Sequence, residues 1–222
     1  MIVVAGIEAL CRPSGALWLA SAQALIVADL HLGKGSSYAA RGQMLPPFDT
    51  RETLGRLEAE MAALSPRLLV FLGDSFHDAD AEARLGEEEA RRLRALANGR
   101  RLIWLTGNHD VAGPRVLPGE VAESLEVECL SLTHEPAAGP SPGEIAGHLH
   151  PCARVRGRGG SVRRRCFVTD GERLILPAFG ALAGGLNIRD PAFTARLARA
   201  PLAAVLGAAR VHAVGWGSLR GD

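Results

Sequence analysis

Six of the seven histidines fall in five short polar clusters: Asp29-Leu30-His31, Gly73-Asp74-Ser75-Phe76-His77-Asp78, Gly107-Asn108-His109-Asp110, Thr133-His134-Glu135 and Gly147-His148-Leu149-His150. Four of the clusters offer imidazole nitrogens together with carboxylate or amide oxygens, the fifth offers two imidazoles, and none offers a thiolate. Such donors suit a binuclear site for Mn²⁺, Fe or Zn²⁺. Asp74 can bridge two cations through its two oxygens, Asn108 offers a neutral amide oxygen and His134 a further nitrogen. One Asp-x-His match alone is weak, because such triplets arise often by accident. Five clusters in this order read as one long motif for a hydrolytic two-metal centre.

The elements before the clusters explain how they would meet. Leu25-Ile26-Val27-Ala28, Leu68 to Leu72 and Leu102 to Leu105 are apolar runs that lead directly into the first three clusters, and Leu130-Ser131-Leu132 leads less cleanly into the fourth. Sites in open α/β sheets form at strand C-termini. Extended backbone sends residues i and i+2 to one face, so Asp29 and His31, and likewise His148 and His150, are expected to converge from strands. Ile2 to Leu10, Leu17 to Leu19 and Leu25 to Ala28 read as opening strands. A helix is predicted from about Thr50 to Leu64, with Asp49 as N-cap, Glu52 completing a capping box, and Leu54, Leu57, Met61 and Leu64 as its buried stripe. A strand over Arg67 to Leu72, a helix over Glu87 to Ala97 and a strand over Arg101 to Leu105 follow.

Beyond His150 short strands predominate: Ala153 to Arg158, Arg163 to Thr169 and Arg173 to Leu176, joined by Gly159-Gly160 and Asp170-Gly171 turns as an antiparallel meander. A helical segment over Pro191 to Pro201 and a strand over Ala209 to Val214 close the chain. Two packed sheets with helices outside are expected, the site lying along one edge.

The 222 residues fit one domain, 1–222. No apolar stretch is long enough for a membrane span. No basic segment precedes Ile2-Val3-Val4, so no signal peptide is expected and a cytoplasmic location follows by default. Cys11, Cys129, Cys152 and Cys166 lack CxxC spacing and are expected as reduced thiols. A net charge of +1 gives no general argument for nucleic acid.

Asp29-x-His31, Gly73-Asp74, Gly107-Asn108-His109-Asp110, His134 and Gly147-His148-x-His150 together resemble the signature of the calcineurin-like metallophosphoesterases. That resemblance implies a four-layer α/β sandwich of two mixed β-sheets flanked by helices, holding two divalent ions about 3.5–4 Å apart. It implies Asp29, His31, Asp74 and His150 on one metal, Asp74, Asn108, His134 and His148 on the other, and His109 as the unligated catalytic imidazole. A narrower likeness covers nearly the whole chain. Asp29-Leu-His-Leu-Gly-Lys34, the Arg41-Gly42 to Pro46-Pro47-Phe48-Asp49-Thr50-Arg51 stretch, the Gly73 to Asp78 cluster and Leu176-Pro-Ala-Phe-Gly-Ala181 are similar to the ligase-associated DNA-damage-response endonucleases. This implies Mn²⁺-dependent phosphodiester cleavage on DNA, a role in DNA repair, and a functional link to a DNA ligase and a helicase.

One position departs from the broad family. Many members carry, three residues after the bridging Asp, an Asp that orients the catalytic histidine; here that place is His77. His77 then becomes a candidate for the substrate phosphate, and Asp78 or Asp110 a candidate for holding His109. Lys34, directly after the first cluster, is the best-placed cation for substrate, ahead of Arg41 and Arg51. Arg158 and Arg163, within the group Arg156, Arg158, Arg163, Arg164 and Arg165, flank a hairpin that could grip a nucleic-acid backbone. The competing explanation is an arginine-rich edge that blocks sheet pairing. The expected chemistry is in-line attack on phosphorus by a metal-activated water, with His109 protonating the leaving alkoxide. A phosphatase or pyrophosphatase for small phosphate esters is the alternative enzyme, and a non-catalytic scaffold the alternative of another class. A homodimer is left open.

Overall fold

In the computed structural model, residues 1–43, 48–157 and 160–222 are described, so Arg158 and the 44–47 stretch lie outside the described residues. The aliphatic runs pair as strands β1 (Ile2–Val4), β2 (Ile7–Cys11), β3 (Leu17–Leu19), β4 (Ala24–Val27), β5 (Leu68–Leu72), β6 (Arg101–Leu105) and β7 (Glu120–Ala122), side by side in that order. β1 to β4 form an antiparallel meander, and β4 to β7 run parallel. The single strand expected over Ile2 to Leu10 is two strands. Ala5 and Gly6, at φ 46° and 88°, turn the chain so that Ile2 pairs with Ala9 and Val4 with Ile7.

Helices α1 (Lys34–Ala40), α2 (Asp49–Leu64) and α3 (Glu87–Ala95) lie against the first sheet's outer side. Leu54, Leu57 and Met61 of α2 and Leu93 of α3 pack on Leu25, Val27, Leu69, Phe71 and Trp104, each large side chain contributing about 1.5–3 kcal/mol by burial. Asp49 is not the N-cap: Phe48 occupies that place and no capping box forms. The Asp49 carboxylate instead accepts the Gly35 N–H (3.1 Å), and the Thr50 hydroxyl accepts the Gly33 N–H (2.9 Å). The start of α2 is thereby tied to the loop that carries His31 and Lys34.

The second sheet contains β8 (Ser124–Val127), β9 (Leu130–Thr133), β10 (Glu144–Ala146), β11 (Pro151–Gly157), β12 (Gly160–Thr169), β13 (Leu174–Ile175), β14 (Leu186–Asn187), β15 (Leu202–Leu206), β16 (Val211–Gly215) and β17 (Leu219–Arg220). Its order is β14-β11-β12-β13-β10-β9-β8, with β15 added to β12, β16 to β15 and β17 to β11. Parallel and antiparallel pairs are mixed. One apolar core fills the space between the sheets, from Leu17, Ile26, Val70 and Ile103 on one side to Leu130, Leu132, Ile145 and Phe167 on the other. Another, with Ala153, Val168, Ala203 and Phe193, covers the far side of the second sheet. The outer layer there is thin. The helix expected over Pro191 to Pro201 is one turn, α4 (Pro191–Thr194), capped by Asp190, which accepts the Ala192 N–H (2.9 Å). Leu202 already belongs to β15, so little chain is left for a longer helix.

A loop after β13 binds the sheets together at the site end. Phe179 N–H donates to the Ala28 carbonyl (2.7 Å) and Gly180 N–H to the Asp29 carbonyl (3.2 Å). Two arginines hold that loop from behind: Arg165 donates to the carbonyls of Ala178 (3.0 Å), Ala181 (3.2 Å) and Ala183 (2.8 Å), and Arg56 to that of Phe179 (2.6 Å). A Cβ on Gly180 would lie 2.1 Å from the Leu30 carbonyl oxygen, so only glycine permits this approach. Gly180→Ala must push the loop off Asp29, at a cost of about 1–3 kcal/mol. The expected result is a melting temperature several degrees lower with weakened metal uptake; an unchanged melting curve would mean that the clasp is not needed.

Candidate metal centre

All five clusters leave the ends of strands that point the same way. Asp29 and His31 follow β4, Asp74 follows β5, Asn108 and His109 follow β6, His134 follows β9, and His148 and His150 follow β10. The expected extended geometry for the two Asp/His and His/His pairs is not what brings them together. Asp29, His31, Asp74, His148 and His150 all have positive φ, between 46° and 66°. Left-handed backbone turns each side chain inward just past its strand, a conformation that costs a non-glycine residue about 1–3 kcal/mol and gathers at functional sites. Neighbouring turns stabilise it: the N–H of His31 donates to the Asp74 carbonyl (3.0 Å), and the N–H of Asp29 to the Gly73 carbonyl (3.2 Å).

The side chains meet in two groups, Asp29/His31/His150 and Asp74/His134/His148, each with one donor atom per residue lying within 4.8 Å of the others. In the first, His31 Nε2 lies 3.2 Å from His150 Nε2, which is 3.3 Å from Asp29 Oδ1. In the second, Asn108 Oδ1 is 3.0 Å from His134 Nε2 and 2.9 Å from His148 Nδ1. Asp29 is fully buried, Asp74 nearly so, and Asp29 also accepts the His148 N–H (3.0 Å).

These residues fit divalent cations. His134 Nδ1 donates to the Leu72 carbonyl (3.0 Å), which leaves Nε2 with its lone pair facing Asn108 and His148; a ligating histidine is held in this way. Ligand atoms at right angles around an ion about 2.1 Å away stand about 3 Å apart, the spacing found here. His134 itself needs the bare backbone of Gly73, whose Cβ would fall 2.3 Å from Nδ1.

His109 stands beside both groups, exposed to solvent. Its backbone N–H donates to Asp74 Oδ1 (2.9 Å), its Nδ1 bonds the His77 carbonyl (2.9 Å), and its Nε2 lies 4.0 Å from Asp74 Oδ2. The orienting acceptor is thus a main-chain carbonyl, and the two carboxylates expected for that task act elsewhere. Asp78 forms a two-pronged ion pair with Arg84 (2.8 and 2.7 Å). Asp110 is buried and accepts the N–H groups of Ser75, Phe76 and Gly107, which braces the two ligand loops against each other. His77 stacks between Tyr38 and His109 and forms with His31 and His109 a third cluster of imidazoles. Burial lowers the pKa of both His31 and His77, and the charge of Lys34, which opens α1, adds to it. Arg163 reaches the Gly185 carbonyl and Asp222 rather than the donor groups. Arg51 is on an exposed face of α2.

The sequence reading missed the His77 carbonyl, the stack on Tyr38, and Arg56 and Arg165 behind the Asp29 loop. Arg165 alternates with Arg163 and Phe167 on one face of β12, a pattern that could have marked it as inward-facing.

The sequence profile of the calcineurin-like phosphoesterase family matches residues 23–174, which include every cluster. The chain belongs to that family. Among solved structures, the phosphoesterase is similar to the Pseudomonas putida nuclease MPE, at 31% identity over 96% of this chain and 98% of that one, with a TM-score of 0.75. It also aligns with Yfce, a phosphoesterase from E. coli, at 16% identity over 86% of this chain and 98% of that one, with a TM-score of 0.42. No curated protein matches it. Among the described residues no helix is long and apolar enough to cross a membrane.

Without metal the phosphoesterase balances its own charges. Burial opposes a charge on His134, but the hydrogen bond to Asp74 and the charges of Asp29 and Asp74 outweigh it and lift its pKa to about 9. Burial would raise Asp74, yet the bond and charge of His134 and the His109 N–H bring it down to about 2. Burial and the neighbouring His150 pull His31 down to about 3. In chelator-treated protein, the raised His134 contributes stability that is complete below its ordinary 6.5 and is lost as pH rises through 9. On the acid side, stability from Asp74 is lost as pH falls from 3.8 through about 2. Metal affinity must rise across the alkaline interval, because the His134 proton has to leave first. Melting curves of the chelated protein recorded from pH 6 to pH 10 check this, and a flat profile would contradict the ion pair.

Proposed function

We propose that this phosphoesterase is a two-metal phosphodiesterase that cleaves DNA. The reading is carried by the two converging donor groups that Asp74 adjoins, with a solvent-facing imidazole beside them. Its likeness to a nuclease along the whole chain supports the choice of a polymer over a small ester. The resemblance to ligase-associated endonucleases supports a place in DNA repair alongside a ligase and a helicase. Asp29, His31, Asp74 and His150 would hold one cation, and Asp74, Asn108, His134 and His148 the other. Nitrogen and oxygen donors without sulfur favour Mn²⁺, with Fe or Zn²⁺ as alternatives. Cations bound there neutralise phosphoryl oxygens and acidify a water.

The protein's own contribution centres on His109. His109 Nδ1–H donates to the His77 carbonyl, so Nε2 faces the site and, in the imidazolium form, can give its proton to the leaving alkoxide. Lys34 and His77 border the same opening and can bind the substrate phosphate. Asp110 keeps the Asp74 and His109 loops in register.

Nicking of supercoiled plasmid in Mn²⁺ is the direct test, with Asp74→Asn as control. We expect nicking by the native protein, its loss on chelation, and loss of both metals and activity in the variant; normal metal content in Asp74→Asn would contradict the ligand assignment. His109→Ala should reduce DNA cleavage by about 10²–10⁴-fold, the usual worth of a general acid, and hydrolysis of an activated aryl phosphodiester much less. Equal losses on the two substrates would remove the proton-donor role.

A further inference from the structure

The hairpin of β11 and β12 begins at the metal centre, since β11 starts one residue after His150. Its pairing places arginines directly opposite one another: Arg154 faces Arg163 on β12 and, on its other side, Arg220 on β17. Paired residues point to the same side of a sheet, and so do residues two apart. Arg154, Arg163 and Arg220 therefore share one face with Arg165, whose guanidinium braces the loop over Asp29. The opposite face carries Ala153, Cys166 and Leu219 into the apolar core.

Like charges placed directly opposite in a sheet destabilise it. Among the described residues the row has one carboxylate partner, Asp222 on Arg163 (3.3 Å). Arg154 Nε donates only to the Ser161 hydroxyl (2.9 Å), and Arg220 is exposed with no side-chain partner among the described residues. Protection of a free sheet edge suits Arg163 and Arg220, whose strands are each paired on one side only at those residues, but not Arg154. At Arg154, β11 is paired on both sides, so its charge blocks no edge. Three guanidiniums crossing three strands instead match what a chain of phosphates requires: several forked donors at short intervals with few competing acids.

We propose that the Arg154, Arg163 and Arg220 row binds the phosphate backbone of the DNA strand whose scissile bond lies at the metal centre. This rests on the nuclease reading above and adds where the strand runs. Arg154 is four residues past His150, about 13 Å along an extended strand, or about four nucleotides of B-form rise. Contacts lie on one side of the cut, and the enzyme engages several nucleotides beyond the bond it breaks.

The double variant Arg154→Gln/Arg220→Gln tests the row, with the more exposed Arg220→Gln alone as a second variant should the double fold poorly. The readout is log kcat/KM for plasmid nicking by the Mn²⁺-loaded enzyme, plotted against log salt, beside turnover of an aryl phosphodiester too small to reach the row. Each lost phosphate contact flattens the slope by about 0.7–0.9. The double variant should therefore be shallower by about 1.5, with aryl ester turnover unchanged and a melting temperature equal to or above that of the native protein. A native slope in a folded variant overturns this inference and leaves the nuclease reading standing. A native enzyme that turns over the aryl ester but neither binds nor nicks DNA overturns both.

Discussion

Imidazole nitrogens and carboxylate oxygens crowded at hydrogen-bond distance are the constraint that organises this molecule. His31 and His150 aim nitrogens at each other across 3.2 Å, as do His134 and His148, and two buried carboxylates stand against them. Neutral donors so arranged repel unless a cation lies among them, or unless one of them takes up a proton. Everything around the site serves to hold this unfavourable crowd. Five strands end at one level, five residues adopt left-handed backbone, and glycines stand where a side chain would collide with a ligand.

The two sheets divide the work. Three neighbouring parallel strands of the first sheet deliver Asp29, His31, Asp74, Asn108 and His109, while two parallel strands of the second deliver His134, His148 and His150. Neither sheet has a complete donor group, so the apolar core between them sets the spacing of the ligands. Leu130, Leu132 and Ile145, packed against Ile26, Val70 and Ile103, thus determine the geometry of the centre without approaching it.

How much of this was legible in the sequence follows from which atoms carry each role. Side-chain donors are spelled out by residue type, and their order after aliphatic runs was enough to find the side chains that converge. The two-sheet architecture was legible for the same reason, since uninterrupted Leu, Ile and Val mark buried strands. Main-chain atoms are silent. The acceptor for His109 is the His77 carbonyl, which any residue at 77 would supply, so attention fell on Asp78 and Asp110. Positive φ at Asp and His leaves no compositional trace, and the convergence of Asp29 with His31 was therefore ascribed to extended strands. Asp49 had the chemistry of a helix cap, yet tertiary contact with Gly35 claimed its carboxylate instead.

The clasp over Asp29 illustrates the same silence from another side. Arg165 reads three carbonyls that belong to Ala178, Ala181 and Ala183, and the side chains of these residues take no part. Drift at the half-buried Ala181 and Ala183 is thus cheap so long as the trace of the chain is kept, whereas Ala178 is buried and the arginine that reads all three lies on another strand. Inheritance of the loop is stored in a residue outside it.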